Sequence, residues 1–496
     1  MNTTTYSEAR KKRDRHYDGK FFFGVKTTGI FCRPSCPSPK AKEENVLYFT
    51  SVFDALNQGF RPCRRCKPDV HVEYYNGNIR GTEIVQNAIK MISDGYLHYH
   101  SLVELADELE VSGRHLRKLF IENVGASPIT IAKYHKAIFA RKLLSSSKTT
   151  ITDISIAAGF GSIRQFNDVF KEIFHMTPTE MRKKEGNEIP INNSTTLLLP
   201  YSAPFDFTQT IQFMNTRTIQ GVEVITEDSY SRTFRTDHAN GYLVVKDNPE
   251  KCALELLIFS DDIKCYMEIH NKIRKVFDLD TDFSTMNIQF AKDKILKAGM
   301  TNNHVPRMPM AFEPFEFVIR AILGQQISVK AATTLAGRIA QKANMKCDES
   351  YPEGLDYYFP TAQEMTALDI SDVGITKTRQ NTIMNVVKGL LKNDFSLSTN
   401  QDFETFRKEF IALKGIGEWT VNYVAMRGLG MVDSFPASDL GIIRAFTSGE
   451  TTPTVKEIET HAEKWRPYRA YATLCIWNSP ASAPRAKNKT SQTKEQ

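Results

Sequence analysis

No run in the 496-residue sequence approaches the ~18 consecutive apolar residues that a membrane-crossing helix needs. The opening residues, MNTTTYSEARKKRDRHYDGK, are polar and charged, so no secretory leader is expected and the chain is assigned to the reducing cytosol, where disulfides are rare. Tryptophan is scarce: Trp419, Trp465 and Trp477 are the three in the chain, all towards the C-terminus. No fixed-period repeat array runs along it. A composition of 41% apolar and 24% charged residues excludes wholesale disorder. At this length one core cannot serve, and two to four domains are expected.

What charge excess there is lies in the N-terminal third. Of 64 basic and 57 acidic residues, 29 and 20 fall in residues 1–185, a balance of +9 there against −2 in the remainder. Such clustering suits a polyanion partner, and equally a solvated surface.

Half of the eight cysteines fall in two close pairs, Cys32 with Cys36 in "TGIFCRPSCPSP" and Cys63 with Cys66 in "RPCRRC". Two short-spaced pairs on separate turns suit a tetrahedral Zn²⁺ held by four thiolates. Four thiolates on Zn²⁺ carry a net charge of roughly −2, which keeps sulfur nucleophilic and able to accept an alkyl group. The plain alternative is a metal that only ties a loop-rich domain together. Cys252, Cys265, Cys347 and Cys475 are scattered and read as core or surface residues.

The segment "FFFGVKTTGIFCRPSCPSPKAKEENVLYFTSVFDALNQGFRPCRRCKP" resembles the N-terminal domain of the Ada family of bacterial alkylation sensors. That resemblance implies methyl transfer from DNA methylphosphotriesters to Cys32, with Cys32, Cys36, Cys63 and Cys66 as zinc ligands. Spacing alone does not select Cys32.

Two segments with helical periodicity follow. In "SLVELADELEVSGRHLRKLF" (101–120), Leu102, Leu105, Ala106 and Leu109 form an apolar first helix and Ser112 caps a second. The second helix offers Arg114, His115, Arg117 and Lys118 to solvent. "ITDISIAAGFGSIRQFNDVFKEIF" (151–174) repeats the plan, with Ser162 capping a helix that exposes Arg164, Gln165 and Asn167. Arg, Gln and Asn read base edges in the major groove, although a basic helical hairpin without that role is common. Two such units joined by a helix over about 128–144, and "AAGFGSIRQFNDVFKEIFHMTPTEMRK", resemble the AraC-type DNA-binding domain.

Further on, "LKGIGEWTVNYVAMRGLG" (413–430) sets Gly415 and Gly417 between two helices, where backbone N–H groups can approach a DNA phosphate. Asp439 follows in "VDSFPASDLGIIRAF", where it could also be a helix N-cap. This pairing resembles the helix-hairpin-helix DNA glycosylases, and residues 197–480 resemble the AlkA family of 3-methyladenine glycosylases through "LPYSAPFDF", "FEFVIRAILGQQISVKAA" and "KWRPYRAYATLCIW". The resemblance implies that Asp439 is catalytic and that Phe213, Trp419, Tyr423 and Trp477 form an electron-rich base pocket, with Trp465 in the core. Where that family has a leucine wedge, Gln326 stands beside Gln325, and both are carried as DNA-contacting candidates. Trp419 occupies the place of the bifunctional relatives' lysine, implying a monofunctional hydrolase. No four-cysteine cluster follows the hairpin, so no iron–sulfur cluster is expected; no "PCHR" motif is present, so neither is an O6-alkylguanine transferase.

The expected architecture is multidomain α+β. A small zinc-binding methyl-acceptor domain with four cysteine ligands (1–76) leads into an all-α double helix-turn-helix domain (80–185) and a linker (186–196). A mixed α/β subdomain (197–300), an all-α helix-hairpin-helix glycosylase domain (301–484) and a disordered tail (485–496) follow. The expected function is a cytoplasmic, nucleoid-associated bacterial alkylation-response protein. It would take methyl groups onto Cys32, so lowering the charge of the zinc cluster and strengthening promoter binding, and would excise alkylated purines. Its partners would be alkylated and promoter double-stranded DNA and RNA polymerase, met as a monomer. The alternatives are a regulator with an inactive glycosylase domain, and a DNA-tethered glycosylase with a purely structural zinc.

Overall fold

The computed structural model describes residues 3–63, 65, 66, 68, 83–147, 149–185, 195–447 and 451–482. Most of the expected linker and the whole of the expected tail lie outside these residues. The chain divides into two compact units. The first holds residues 1–205, 225–274 and 279–281; the second holds 206–224, 275–278 and 282–496.

The first unit opens on a four-stranded sheet ordered Val46–Phe49, Phe22–Val25, Ile30–Cys32, Arg61–Pro62. Phe23 pairs with Cys32 across the antiparallel step, and Phe31 with Pro62 across the parallel one. Gly24 is required in its strand, since a Cβ there would come within 2.7 Å of both Phe49 and Phe60.

Helices fill the described residues between 83 and 185. The two expected helix-turn-helix units are present as Leu102–Glu108 with Gly113–Val124 and as Ile151–Ala157 with Ile163–Phe174, joined by Pro128–Ser146. Each starts where a hydroxyl can satisfy a free N–H: Ser101, Ser112, Thr150 and Ser162 accept from the residue three positions on. Leu116, Phe120, Phe166 and Phe170 are fully buried, so the apolar stripes fix which face of each second helix meets solvent.

A second sheet runs antiparallel through Thr195–Pro200, Ala253–Ser260, Asn240–Asn248 and Ser229–Arg235. Leu197, Leu199, Leu243, Val245, Leu254, Leu256 and Ile258 are buried at period two. This sheet belongs to the same compact unit as the helix-turn-helix helices: Tyr99 OH donates to the Lys264 carbonyl at 2.8 Å, and Asn271 Nδ2 to the Ser93 carbonyl at 3.0 Å.

The second unit is helical around two apolar cores. The hairpin is built from Phe403–Ile411 and Glu418–Arg427. Gly415 sits at φ +99°, and a Cβ there would lie 2.0 Å from Thr382 Oγ1, so the turn needs glycine on both counts. Gly417 is different: a Cβ on it would meet nothing within 4 Å. Trp465 is 1% exposed and donates to Asp293 Oδ2 at 3.0 Å, a core residue as expected. Among the described residues no helix is long and apolar enough to cross a membrane.

Candidate metal centre and candidate active site

The first sheet delivers Cys32 at the end of one strand and Cys63 just past its parallel neighbour, where Cys63 N donates to the Phe31 carbonyl at 2.9 Å. Turns then bring in Cys36 and Cys66. All four Sγ atoms lie within 4.8 Å of one another, with Cys36 and Cys63 4.0 Å apart, and all four residues are buried. A tetrahedral Zn²⁺ with Zn–S of about 2.3 Å sets its sulfurs about 3.8 Å apart, so the cluster has the right size. Hydrogen bonding to Cys36, Cys63 and Cys66, with burial, pushes the Cys32 thiol far above its usual range. The Cys32–Cys36 loop is held by Asp18, whose carboxylate accepts from Ser35 N at 2.9 Å and from Ser35 Oγ, with Arg33 Nε 3.6 Å away. Sequence reasoning missed Asp18, because its partner is 17 residues distant.

The helix-turn-helix candidates divide. Arg114, His115, Arg117 and Lys118 are all exposed on Gly113–Val124, and Arg164 and Gln165 are exposed on Ile163–Phe174. Asn167 is half-buried, and Gln165 Oε1 accepts from Gly161 N at 3.1 Å, so that oxygen closes the turn before the helix.

In the second unit a cavity of about 560 Å³ is lined by Trp419, Tyr423, Asp439 and Trp477. Trp419 and Tyr423, one helical turn apart, stack at 4.9 Å and 22°, and Trp477 meets Tyr423 edge-on at 6.1 Å. Asp439 is the helix N-cap that the sequence allowed, and it also lines the cavity. Its Oδ1 caps the helix Leu440–Phe446, accepting from Gly441 N (2.9 Å) and Ile442 N (3.3 Å), and also accepts from Trp477 Nε1 at 2.9 Å. Among the described residues its Oδ2 accepts only from Trp419 Nε1, at 3.0 Å, and so retains acceptor capacity.

Two expectations meet a different arrangement. Phe213 is not among the residues lining the cavity. The Arg217 guanidinium stacks over its ring at 3.8 Å and that of Arg427 lies 4.8 Å from the ring centre. Gln325 Nε2 donates to the Gly415 carbonyl (3.2 Å) and Thr420 Oγ1 (3.1 Å), and its own backbone carbonyl accepts from Arg379 Nη2 at 2.5 Å, so it braces the hairpin. Gln326 is exposed at φ +59°, followed by the exposed, cavity-lining Ile327.

Arg217, Arg320 and Arg427 also line the cavity, and sequence reasoning missed all three. A signal existed: "FEFVIRAIL" and "YVAMRGL" each carry one arginine inside an apolar helix. Arg427 is 5% exposed, with Nε and Nη2 on the Pro309 carbonyl (2.9 and 2.7 Å) and Nη1 on Tyr423 OH (3.2 Å). Burial pulls its guanidinium down to about 10, leaving it charged at neutral pH. Burial alone would raise the Tyr423 phenol, but the Arg427 and Arg217 charges outweigh it and hold the phenol below its ordinary value.

Three family descriptions match the chain: "Metal binding domain of Ada" over residues 5–69, "Helix-turn-helix domain" over 105–184 and "AlkA N-terminal domain" over 196–313. The "Probable bifunctional transcriptional activator/DNA repair enzyme AlkA" of Mycobacterium tuberculosis is 32% identical over 475 residues, 95% of this chain and 95% of that one. The chain belongs to that family. Its two halves also match separate members of the wider group. "DNA-3-methyladenine glycosylase 2" of Escherichia coli is 27% identical across 58% of this chain and 98% of its own. "Bifunctional transcriptional activator/DNA repair enzyme AdaA" of Bacillus subtilis is 32% identical across 39% of this chain and 89% of its own. As a member of this AlkA family, the chain joins an Ada-type zinc domain, a helix-turn-helix domain and a glycosylase domain, and the four-cysteine cluster is its Zn²⁺ site.

Proposed function

We propose that this chain senses alkylated DNA through Cys32 and excises alkylated purines through Asp439, so that one polypeptide both reports damage and repairs it. When bound, Zn²⁺ keeps the four sulfurs as thiolates at neutral pH. The Cys32 sulfur attacks the methyl carbon of a methylphosphotriester. An S–C bond forms, the C–O bond breaks, and the phosphodiester leaves as an anion. The resulting thioether does not revert, so each chain acts once. Methylation removes one negative charge from the cluster and so lowers its repulsion from phosphate. The cluster's domain is packed on the DNA-binding helices, which supports a coupled response: Phe53 meets Tyr134 edge-on at 5.5 Å, and Asn57 Nδ2 donates to the Gly125 carbonyl at 2.7 Å. The stronger promoter binding that follows would recruit RNA polymerase in the bacterial cytoplasm.

Excision requires the damaged nucleotide to leave the stack. Trp419 and Trp477 frame the cavity entered by the base, and Asp439 Oδ2 faces the positive charge that grows on the sugar as the bond from C1′ to the base breaks. Water then bonds to C1′, and its proton passes to solvent or to the carboxylate. The observation that carries this reading is the Asp439 carboxylate fixed by four N–H donors within an aromatic cavity. Single-turnover release of 7-methylguanine from duplex DNA tests it. Wild-type release should exceed that of Asp439→Asn by a factor of about a hundred or more, and equal rates would leave a regulator without enzymatic activity.

A further inference from the structure

Sequence texture divides the chain at residues 186–196, between its regulatory and repair halves, but packing does not divide it there. Residues 225–274, which fall within the AlkA-type segment 196–313, lie in the same compact unit as the helix-turn-helix helices. They include two strands of the second sheet and most of the helix Tyr266–Val276. The seam between the halves is polar and largely buried. Lys142 Nζ, on the helix Pro128–Ser146 that joins the two helix-turn-helix units, meets His270 Nε2 at 3.2 Å. A lysine ammonium can only donate, so Nε2 is the acceptor and the ring proton sits on Nδ1, which donates to Asn271 Oδ1 at 2.8 Å. Asn271 Nδ2 donates to the Ser93 carbonyl at 3.0 Å, and Ser93 Oγ lies 3.3 Å from His135 Nε2, back on Pro128–Ser146. His270 is 1% exposed, with the Phe139 ring edge-on at 5.4 Å. Burial and the Lys142 and Arg274 charges hold its ring neutral. Nearby, Tyr99 stacks on His238 at 4.3 Å and 26° while donating to the Lys264 carbonyl at 2.8 Å.

We propose that the helix Tyr266–Val276, with the turn before it, is a docking surface whose partner is this chain's own helix-turn-helix domain, and that the hydrogen-bond chain through His270 locks regulator and sheet into one cooperative body. An imidazole and an ammonium are costly to bury unless each finds its partner. Here the partners come from opposite sides of the seam, and only one His270 tautomer completes the chain, so a displaced docking would strand several polar groups at once. The two halves occur as separate chains among the relatives, so the seam is a property of their being joined. Pro128–Ser146 also meets the zinc domain, through Tyr134 against Phe53. One helix therefore contacts both the methyl-accepting domain and part of the repair half, and the DNA-binding helices carry the sheet of the repair half with them. None of this depends on the roles proposed above for Cys32 and Asp439.

The test is hydrogen–deuterium exchange of the full zinc-loaded chain, read by mass spectrometry on peptides from 128–146 in the regulator and 240–260 in the sheet. His270→Leu strands the Lys142 ammonium at the seam and should speed exchange in both segments, by the same factor, about tenfold or more. Adding Lys142→Met removes the stranded donor as well, and should bring both segments back towards wild type, since replacing both partners by apolar groups can be nearly neutral. Faster exchange in one segment with the other within about twofold of wild type overturns the proposal, because the two halves would then be separate bodies in contact. Equal exchange in the single and double variants overturns the lock at His270. Should His270→Leu fail to fold, Tyr99→Phe, which removes one donor and no bulk, takes its place. It should speed both segments about threefold, and a rise in one alone, or in neither, overturns the proposal.

Discussion

Trp477 donates its indole N–H to Oδ1 of Asp439 at 2.9 Å, the same oxygen that caps the following helix. A pocket-wall tryptophan thus sets the orientation of the carboxylate, leaving Oδ2 as the oxygen with spare acceptor capacity. Trp477→Phe keeps the wall apolar but removes the donor. It should slow 7-methylguanine release by about tenfold with little change in DNA affinity, in keeping with the loss of one charge-assisted hydrogen bond worth ~1.5–3 kcal/mol. Single-turnover rates together with binding isotherms separate the two effects.

The two hairpin glycines should behave differently. Gly415→Ala must place a Cβ at φ +99° against Thr382 Oγ1, and is expected to destabilise the second unit by at least ~2 kcal/mol. Gly417→Ala has open space at its Cβ and should leave the unfolding midpoint nearly unchanged, while weakening affinity for undamaged duplex if that space is where the backbone of DNA approaches. Thermal denaturation and salt-matched binding of both variants check the pair.

Removing the metal should be felt locally. A chelator with a reducing agent is expected to lower the unfolding midpoint of the first unit, to leave the second unit's transition in place, and to make all four cluster thiols reactive to alkylating reagents. Asp18→Ala should give a milder form of the same behaviour, because the loop carrying Cys36 loses two hydrogen bonds.

Acid should loosen the first unit. Burial, with help from the Lys136 charge, lowers His98 to about 4; burial and Lys142 lower His135 to about 4, against an ordinary 6.5. Both rings are neutral in the folded chain but take up protons more readily when unfolded. Their contribution is therefore complete above about pH 6.5 and is lost as pH falls towards 4. The loss should reach ~2–4 kcal/mol for the two half-buried rings together, visible as a falling denaturant midpoint across that window. His135→Gln should shrink the pH dependence.

Sequence legibility followed the range of the interactions. The cysteines come in two pairs close in sequence, and the hydroxyl-capped helices of both helix-turn-helix units obey a period of about 3.6, so both could be read from neighbouring residues. Trp419 and Tyr423 are likewise one turn apart. The roles of Asp18 and Arg427 could not be read in this way, since Ser35 and the Pro309 carbonyl reach them only through the tertiary fold. Phe213 shows the weakness of position alone: it falls at the pocket by resemblance, yet two guanidiniums flank its ring. For Gln325, carried as a DNA-contacting candidate, the Gly415 carbonyl 90 residues on is an acceptor that no local pattern shows.

The measurement that bears most directly on the joined sensor and repair account is the fate of one methyl group. The zinc-loaded chain would be incubated with duplex DNA carrying methylphosphotriesters, digested, and its cysteine peptides weighed. The account predicts a single added methyl, on Cys32, with higher affinity of the methylated protein for a promoter at matched salt. Zinc bound with no methyl on any of the four cysteines, or a methyl on Cys36, Cys63 or Cys66 instead, would contradict it.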